Sequence, residues 1–291
     1  MHKAAFVSII GKPNAGKSTF INALMGQHFC IVSPKAQTTR HRIKGFISTP
    51  DYQLVFSDTP GIIEPKYKMQ EAMMDAVNES LEDADILLLV HDQHEDELAP
   101  EILKTLEAHK GLKIMILNKV DLLNEAQIVE KTEHWKKSGK FYGVVPFSAL
   151  HPFNKNMLVN FLVEISPEHP AYYPEDELSD RNTRFFLGEF IREKILFFYE
   201  KEIPYSVEVK IDGFKEEENL IRICALIYVE RDSQKAILIG KGGLALKKVA
   251  SEARKDMELF LEKPVFLDVF VKVKDNWRNS DQELKRFGYK E

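Results

Sequence analysis

Gly11-Lys12-Pro13-Asn14-Ala15-Gly16-Lys17-Ser18-Thr19 decides the fold of the first half of this chain. It contains a full G-x-x-x-x-G-K-[ST] pattern, set between an apolar, strand-like run at 5–10 and a helical pattern at 19–25. Glycines at both ends let backbone N–H groups converge on an anion at a helix N-terminus. Lys17 then neutralises the β/γ oxygens of a nucleoside triphosphate, and the Ser18 hydroxyl is suited to ligate Mg²⁺.

Outward from this loop, β-rich runs at 54–56, 86–91, 113–117 and 141–146 alternate with helical patterns, which is the α/β signature. Residues 41–47 and 53–57 read as a hairpin, predicting one antiparallel edge on an otherwise parallel, doubly wound sheet. The stretch 166–180 packs three prolines and five carboxylates between two periodic segments and reads as a linker. The expected organisation is therefore a nucleotide domain at 1–165, a linker at 166–180 and a second domain at 181–291.

Two further motifs follow strands in the first domain. Asp58-Thr59-Pro60-Gly61 places a carboxylate where it reaches Mg²⁺ and an N–H at Gly61 where it senses a γ-phosphate. Asn118-Lys119-Val120-Asp121 stands at the C-terminal edge of the sheet, where open α/β sheets bind ligands. Asp121 accepts both N1–H and the 2-amino group of guanine, and adenine offers neither donor there, so this residue selects GTP over ATP. Ser148 and Ala149, after the last strand, supply a backbone N–H for guanine O6. A P-loop kinase would leave Asn118 and Asp121 without a task.

Ordered this way, the motifs resemble the translation-factor-related small GTPases over nearly all of the first domain. The resemblance places the first switch at Gln37-Thr38-Thr39-Arg40-His41, with a threonine closing on Mg²⁺ beside Ser18 and Asp58. Thr39 is favoured over Thr38 for that role. Ile62 stands where many relatives carry a water-orienting glutamine and cannot hydrogen-bond a nucleophile, which predicts slow intrinsic hydrolysis. In the members sharing this hydrophobic replacement a P-loop asparagine, here Asn14, helps hold a potassium ion. The expected catalytic set is thus Thr39, Asn14 and Gly61, with Arg40 and Arg42 as alternative charge donors.

The second domain reads helix (182–198), strand (206–213), strand (220–230), helix (234–238), glycine loop, helix (244–262) and strand (265–274). Ile239-Gly240-Lys241-Gly242-Gly243 is a G-x-x-G loop in the element order of the bacterial K-homology module, a fold that clamps about four nucleotides of single-stranded RNA. Lys241, Lys247, Lys248, Arg254 and Lys255 give a local basic face there. The C-terminal aromatics Trp277 and Tyr289 stand among cations and read either as base-stacking groups or as core anchors, the latter favoured for Trp277.

Composition limits the partners. The chain has 291 residues, with 45 acidic against 40 basic side chains and a formal charge of −5. RNA binding must then be local, and nothing points to DNA. Two isolated cysteines, Cys30 and Cys224, read as free thiols of a reducing, cytoplasmic compartment. No apolar run reaches the roughly 18 residues needed to span a bilayer. The apolar start at 4–10 is broken by Ser8 and lacks a cleavage signature, so export is not expected.

A GTPase domain joined to one K-homology module resembles a bacterial family across essentially the whole chain. The family pattern has Ile-Gly after Lys248, where this chain has Val249-Ala250. The resemblance implies a GTP/GDP switch that binds the 3′ region of small-subunit ribosomal RNA, assists maturation of the small ribosomal subunit and associates in part with the inner face of the membrane. The competing expectation is a regulatory GTPase of cell growth directed at a protein or a membrane, which the basic helix from Leu244 keeps open.

Overall fold

The computed structural model describes residues 1–151 and 153–290. The chain divides into two compact units, Met1–Glu64 with Met73–Asp180, and Pro65–Ala72 with Arg181–Glu291.

The first unit runs β1 (Lys3–Ile10), α1 (Lys17–Met25), β2 (Ile43–Ser48), β3 (Tyr52–Asp58), α2 (Lys68–Glu82, whose first turns belong to the second unit), β4 (Ile86–Asp92), α3 (Pro100–Ala108), β5 (Leu112–Asn118), α4 (Glu125–Lys137), β6 (Gly143–Pro146) and α5 (Lys155–Ile165). Its six strands lie in the order β2-β3-β1-β4-β5-β6. Only β2 is antiparallel to its neighbour, which is the hairpin edge expected from sequence. β1 and β4 are buried almost without interruption, as strands covered on both faces must be, so they are apolar runs rather than alternating ones. From β1 the chain goes first to β3 on one side and later to β4 on the other, which makes the C-terminal end of β1 the topological switch point. Gly11 follows there directly.

The stretch 166–180 does not behave as its composition suggests. It belongs to the first unit and lies along β1, β3 and β2. The buried Gln53 side chain accepts from the amides of Tyr172 and Tyr173 at 2.8 and 3.0 Å and donates to the Tyr173 carbonyl at 2.9 Å. Tyr173 stacks on Phe46 with ring centroids 4.1 Å apart. Prolines and carboxylates thus coexist with an ordered strap, because Gln53 and the two tyrosines supply partners that local composition does not reveal.

The second unit adds α6 (Thr183–Phe198), α7 (Ile203–Ser206), β7 (Glu208–Glu216), β8 (Ile221–Val229), α8 (Asp232–Ile239), α9 (Leu244–Leu261), β9 (Val265–Val273) and α10 (Asp281–Arg286). β8 is central, antiparallel to β7 and parallel to β9. β9 alternates between exposed and covered residues, the period-two pattern of a sheet with one face packed. Asn182 caps α6 by accepting the Phe185 amide at 3.0 Å. Trp277 is fully buried and donates its indole N–H to the Ser206 carbonyl at 3.0 Å, so it is a core anchor and not a stacking surface. Tyr289 likewise commits its hydroxyl to Glu208 at 2.7 Å.

Candidate functional site

The loop after β1 turns through conformations that side chains resist. At Gly16 (φ 94°) a Cβ would stand 2.4 Å from the Asn118 amide nitrogen, so the close approach of the two motifs requires glycine. That nitrogen donates to the Ala15 carbonyl at 2.9 Å and ties the end of β5 to the phosphate loop. Asn14 is exposed and sits in the left-handed region at φ 64°.

Lys17 opens α1 with its ammonium turned back into the loop, donating to the carbonyls of Gly11 and Lys12 at 2.9 and 3.0 Å. Burial pushes its pKa down to about 8, with the Asp58 charge opposing the shift. A phosphate would replace those carbonyls as the partner of a charge already preorganised and desolvated.

Beside it, the hydroxyls of Ser18 and Thr39 stand 2.9 Å apart, and each donates to Asp58 Oδ2, at 3.2 and 3.1 Å. Asp58 is fully buried, and burial raises its pKa while Lys17 opposes. The Cys30 thiol also hydrogen-bonds this carboxylate, and among the described residues Oδ1 meets no N–H or O–H donor. A buried carboxylate with one oxygen that no N–H or O–H reaches, beside two hydroxyls, is an all-oxygen set that suits a hard divalent cation such as Mg²⁺. Thr38 instead donates to the Lys35 carbonyl at 2.7 Å, so the geometry separates the two threonines. An open cleft lined by Pro13, Asn14, Lys17, Ser18, Thr19, Thr39 and Gly61 among others lies over this cluster.

Thr59 donates to the Ile9 carbonyl at 2.8 Å, bracing the Asp58-Thr59-Pro60-Gly61 turn against β1. At Gly61 a Cβ would stand 3.2 Å from the Pro13 ring, which places this turn against the phosphate loop. Ile62 packs on the apolar cluster that contains Ile10, Leu89 and Leu117, and its side chain has nothing to offer a water molecule. Arg40 is buried, and Arg42 donates to Asp83 at 2.7 Å and to Ser57 at 3.2 Å. Arg42 thus ties the segment that carries Thr39 to Ser57 and Asp83, which occupies one of the two arginines expected as alternative charge donors.

Asp121 lies in a 3₁₀ turn after Lys119 and accepts from the buried Ser148 hydroxyl at 2.6 Å. The Val120 amide donates to the Phe147 carbonyl at 3.3 Å, so the turn and the segment carrying Ser148 and Ala149 are one assembly. Lys119 takes φ 64° and donates to the Asn14 carbonyl at 3.3 Å. Its ammonium is held from behind by Asp92, a strand-end carboxylate whose only sequence signal is its place after the third apolar run.

In the second unit, Ile239 ends α8 and Gly240 follows at φ 71°, where a Cβ would lie 2.6 Å from the Ala245 methyl. Gly242 and Gly243 also have positive φ, and nothing lies within 4 Å of where their Cβ atoms would be. Open backbone is thus presented at the N-terminus of the 18-residue helix α9. Lys241, Lys247 and Lys248 are exposed, and the Lys248 ammonium lies 4.2 Å from the Phe198 ring centre. The basic face is narrower than the sequence suggests: Arg254 pairs with Glu258 at 2.6 Å and Lys255 with Glu252 at 2.7 Å. Val249 is fully buried, so the departure from the family pattern there still packs.

Comparison with known proteins agrees with both halves. Residues 6–119 match the family model described as 50S ribosome-binding GTPase, and residues 202–278 match that of the KH domain. A crystal structure of Era in complex with MgGDPNP and nucleotides 1506–1542 of 16S ribosomal RNA shares 35% identity, with 99% of each chain covered and a TM-score of 0.92. A point variant of Aquifex aeolicus Era, bound to GDP and AlF₄⁻, gives the same identity, coverage and TM-score. A phosphate loop, a guanine-type turn and a glycine-opened K-homology helix, matched end to end at this identity, place the chain in the Era family of GTP-hydrolysing enzymes.

Proposed function

We propose that this chain is a GTP-driven switch whose K-homology unit grips the single-stranded 3′ region of small-subunit ribosomal RNA and so assists assembly of the small ribosomal subunit. The observation that carries the reading is the open space beside the Gly242 and Gly243 backbone at the start of α9, with the exposed Lys241, Lys247 and Lys248 around it, in a family whose relative is bound to nucleotides of 16S ribosomal RNA.

In this reading Gly11, Lys12, Pro13, Asn14, Ala15, Gly16, Lys17, Ser18 and Thr19 surround the phosphates, and Lys17 carries the charge that meets them. Asn118, Lys119 and Asp121 with Ser148 and Ala149 read the base. Ser18, Thr39 and Asp58 would hold Mg²⁺, which supplies charge neutralisation at the β/γ oxygens. Thr39 already stands against Ser18 and Asp58; a γ-phosphate with Mg²⁺ would hold it there, and Gly61, after Thr59 and Pro60, would sense the same group. Since Ile62 faces the core, water is positioned from elsewhere; the resemblance points to potassium at the exposed Asn14, which a comparison of hydrolysis in potassium and sodium buffers would test. We place the protein in the cytoplasm, with peripheral contact at the inner membrane face. Among the described residues no helix is long and apolar enough to cross a membrane.

The test is binding of a fluorescent single strand from the 3′ end of small-subunit ribosomal RNA, with a non-hydrolysable GTP analogue and with GDP. Tighter binding in one state supports the gated clamp. No binding in either state, with GTP binding intact, sinks the ribosomal reading and leaves the protein- or membrane-directed switch.

A further inference from the structure

Asp92 belongs to none of the nucleotide motifs, yet it stands against two of them. It is the last residue of β4 and the register partner of Asn118 on β5, so its carboxylate lies beside the start of the base-reading turn. Its Oδ2 accepts from the Lys119 ammonium at 2.5 Å, and its Oδ1 accepts from the His94 amide at 3.0 Å. Both carboxylate oxygens are therefore used, and the loop after β4 fixes where the charge sits. The same ammonium donates to the Asn14 carbonyl of the phosphate loop. Lys119 holds φ 64°, a conformation uncommon for a residue with a long side chain, which is kept only where surrounding contacts determine it. The side chains are about one-fifth exposed for Asp92 and one-third for Lys119. Partial burial raises the Asp92 pKa, but the His94 amide and Lys119 outweigh it and keep the carboxyl below its ordinary range. The Gln93 amide adds a 3.2 Å hydrogen bond to the Asn118 carbonyl.

We propose that Asp92 is a positioning residue for nucleotide binding: by holding the Lys119 ammonium against the Asn14 carbonyl, it sets the separation of the phosphate loop and the base-reading turn that a single nucleotide must bridge. The inference rests on the reading of Asn118–Asp121 as the base site. A partly exposed ion pair contributes little to global stability, so its loss should appear in binding rather than in folding. Without Asp92, Lys119 keeps one neutral partner and has no fixed charge to return to.

The experiment compares the full chain with its Asp92→Asn and Asp92→Ser variants, using fluorescent GDP and GTP for affinity and dissociation rate, steady-state hydrolysis, and thermal unfolding without nucleotide. Affinity for both nucleotides should fall about tenfold, the equivalent of one charged hydrogen bond, chiefly through faster dissociation. KM should rise with kcat within about twofold of wild type, and unfolding should not move. Asp96→Asn, which removes an exposed partner of Lys131 in the same loop, should leave affinity unchanged. Wild-type affinity in both Asp92 variants would overturn the proposal. So would a loss of affinity matched by falls in kcat and unfolding temperature, because the role would then be structural only. Asp121→Asn separates the two readings. If it shifts base preference while the Asp92 variants stay silent, only the positioning role falls; if guanine preference survives it, the base site itself is misassigned and the reason for Asp92 goes with it.

Discussion

Ser148 donates its hydroxyl hydrogen to Asp121 Oδ1 at 2.6 Å, which fixes the carboxylate before any base arrives. One lone-pair direction is used, and in the proposed guanine site the second lone pair and the other oxygen would accept from the two base donors. Asp121→Asn replaces an acceptor by a donor at that position. GTP affinity should fall about 100-fold or more, because two base N–H groups lose their acceptor, and xanthosine nucleotides should gain affinity. Competition between guanosine and xanthosine diphosphates measures both.

Lys17 makes binding depend on pH. Its pKa lies near 8 in the free protein, and bound phosphate favours the charged form and raises it. Affinity should be at its full value below that pKa and decline as pH rises through 8 and above, approaching tenfold per unit where the free lysine is neutral but the bound one is charged. GDP titrations between pH 7 and 9.5 check the sign. A flat profile would mean that Lys17 is charged throughout.

The two threonines of the first switch predict unequal phenotypes. Thr39→Ala removes a hydroxyl from the Ser18–Asp58 cluster, whereas Thr38→Ala removes a turn contact to Lys35. Hydrolysis at saturating GTP should fall at least tenfold in the first, with GDP affinity little changed, and by less than about threefold in the second. Equal effects would return the assignment to an open choice.

Trp277→Ala should cost about 3–5 kcal/mol of stability in the second unit, from lost burial and the cavity left behind. Trp277→Phe should cost less, about 1–3 kcal/mol, chiefly from leaving the Ser206 carbonyl unpaired. Urea unfolding followed by circular dichroism gives both values. Little loss in the alanine variant would contradict an anchoring role.

The parts of the site written in consecutive residues were legible because their chemistry is local. Gly11, Gly16 and Lys17 point to a phosphate loop by backbone permissiveness and charge alone, and Asp121 leads to the proposed guanine site by its acceptor chemistry. The K-homology order was legible from the periodicity around Gly240–Gly243. What did not show was decided by partners distant in sequence. Gln53 looks like an ordinary strand glutamine until Tyr172 and Tyr173 reach it from nearly 120 residues away. Arg42 reads as a free charge until Asp83 claims it, and Arg254 and Lys255 read as part of a basic face until glutamates one turn along neutralise them. Asp92 is invisible for the same reason: its meaning lies in the neighbouring strand.

The strap at 166–180 also bears on solubility. β2 is an edge strand, and its outer side is closed by a bridge from Gly45 to Ser179 and by the Phe46 amide donating to the Leu178 carbonyl at 3.0 Å. A fragment ending at residue 165 would bare those backbone groups, along with the rings of Phe6 and Phe46 that Tyr172 and Tyr173 cover. An uncovered edge of this kind templates pairing with a second chain. Light scattering should show the 1–165 fragment self-associating and the 1–180 fragment monomeric, so a stretch that looks like a mere tether acts as this sheet's guard against aggregation.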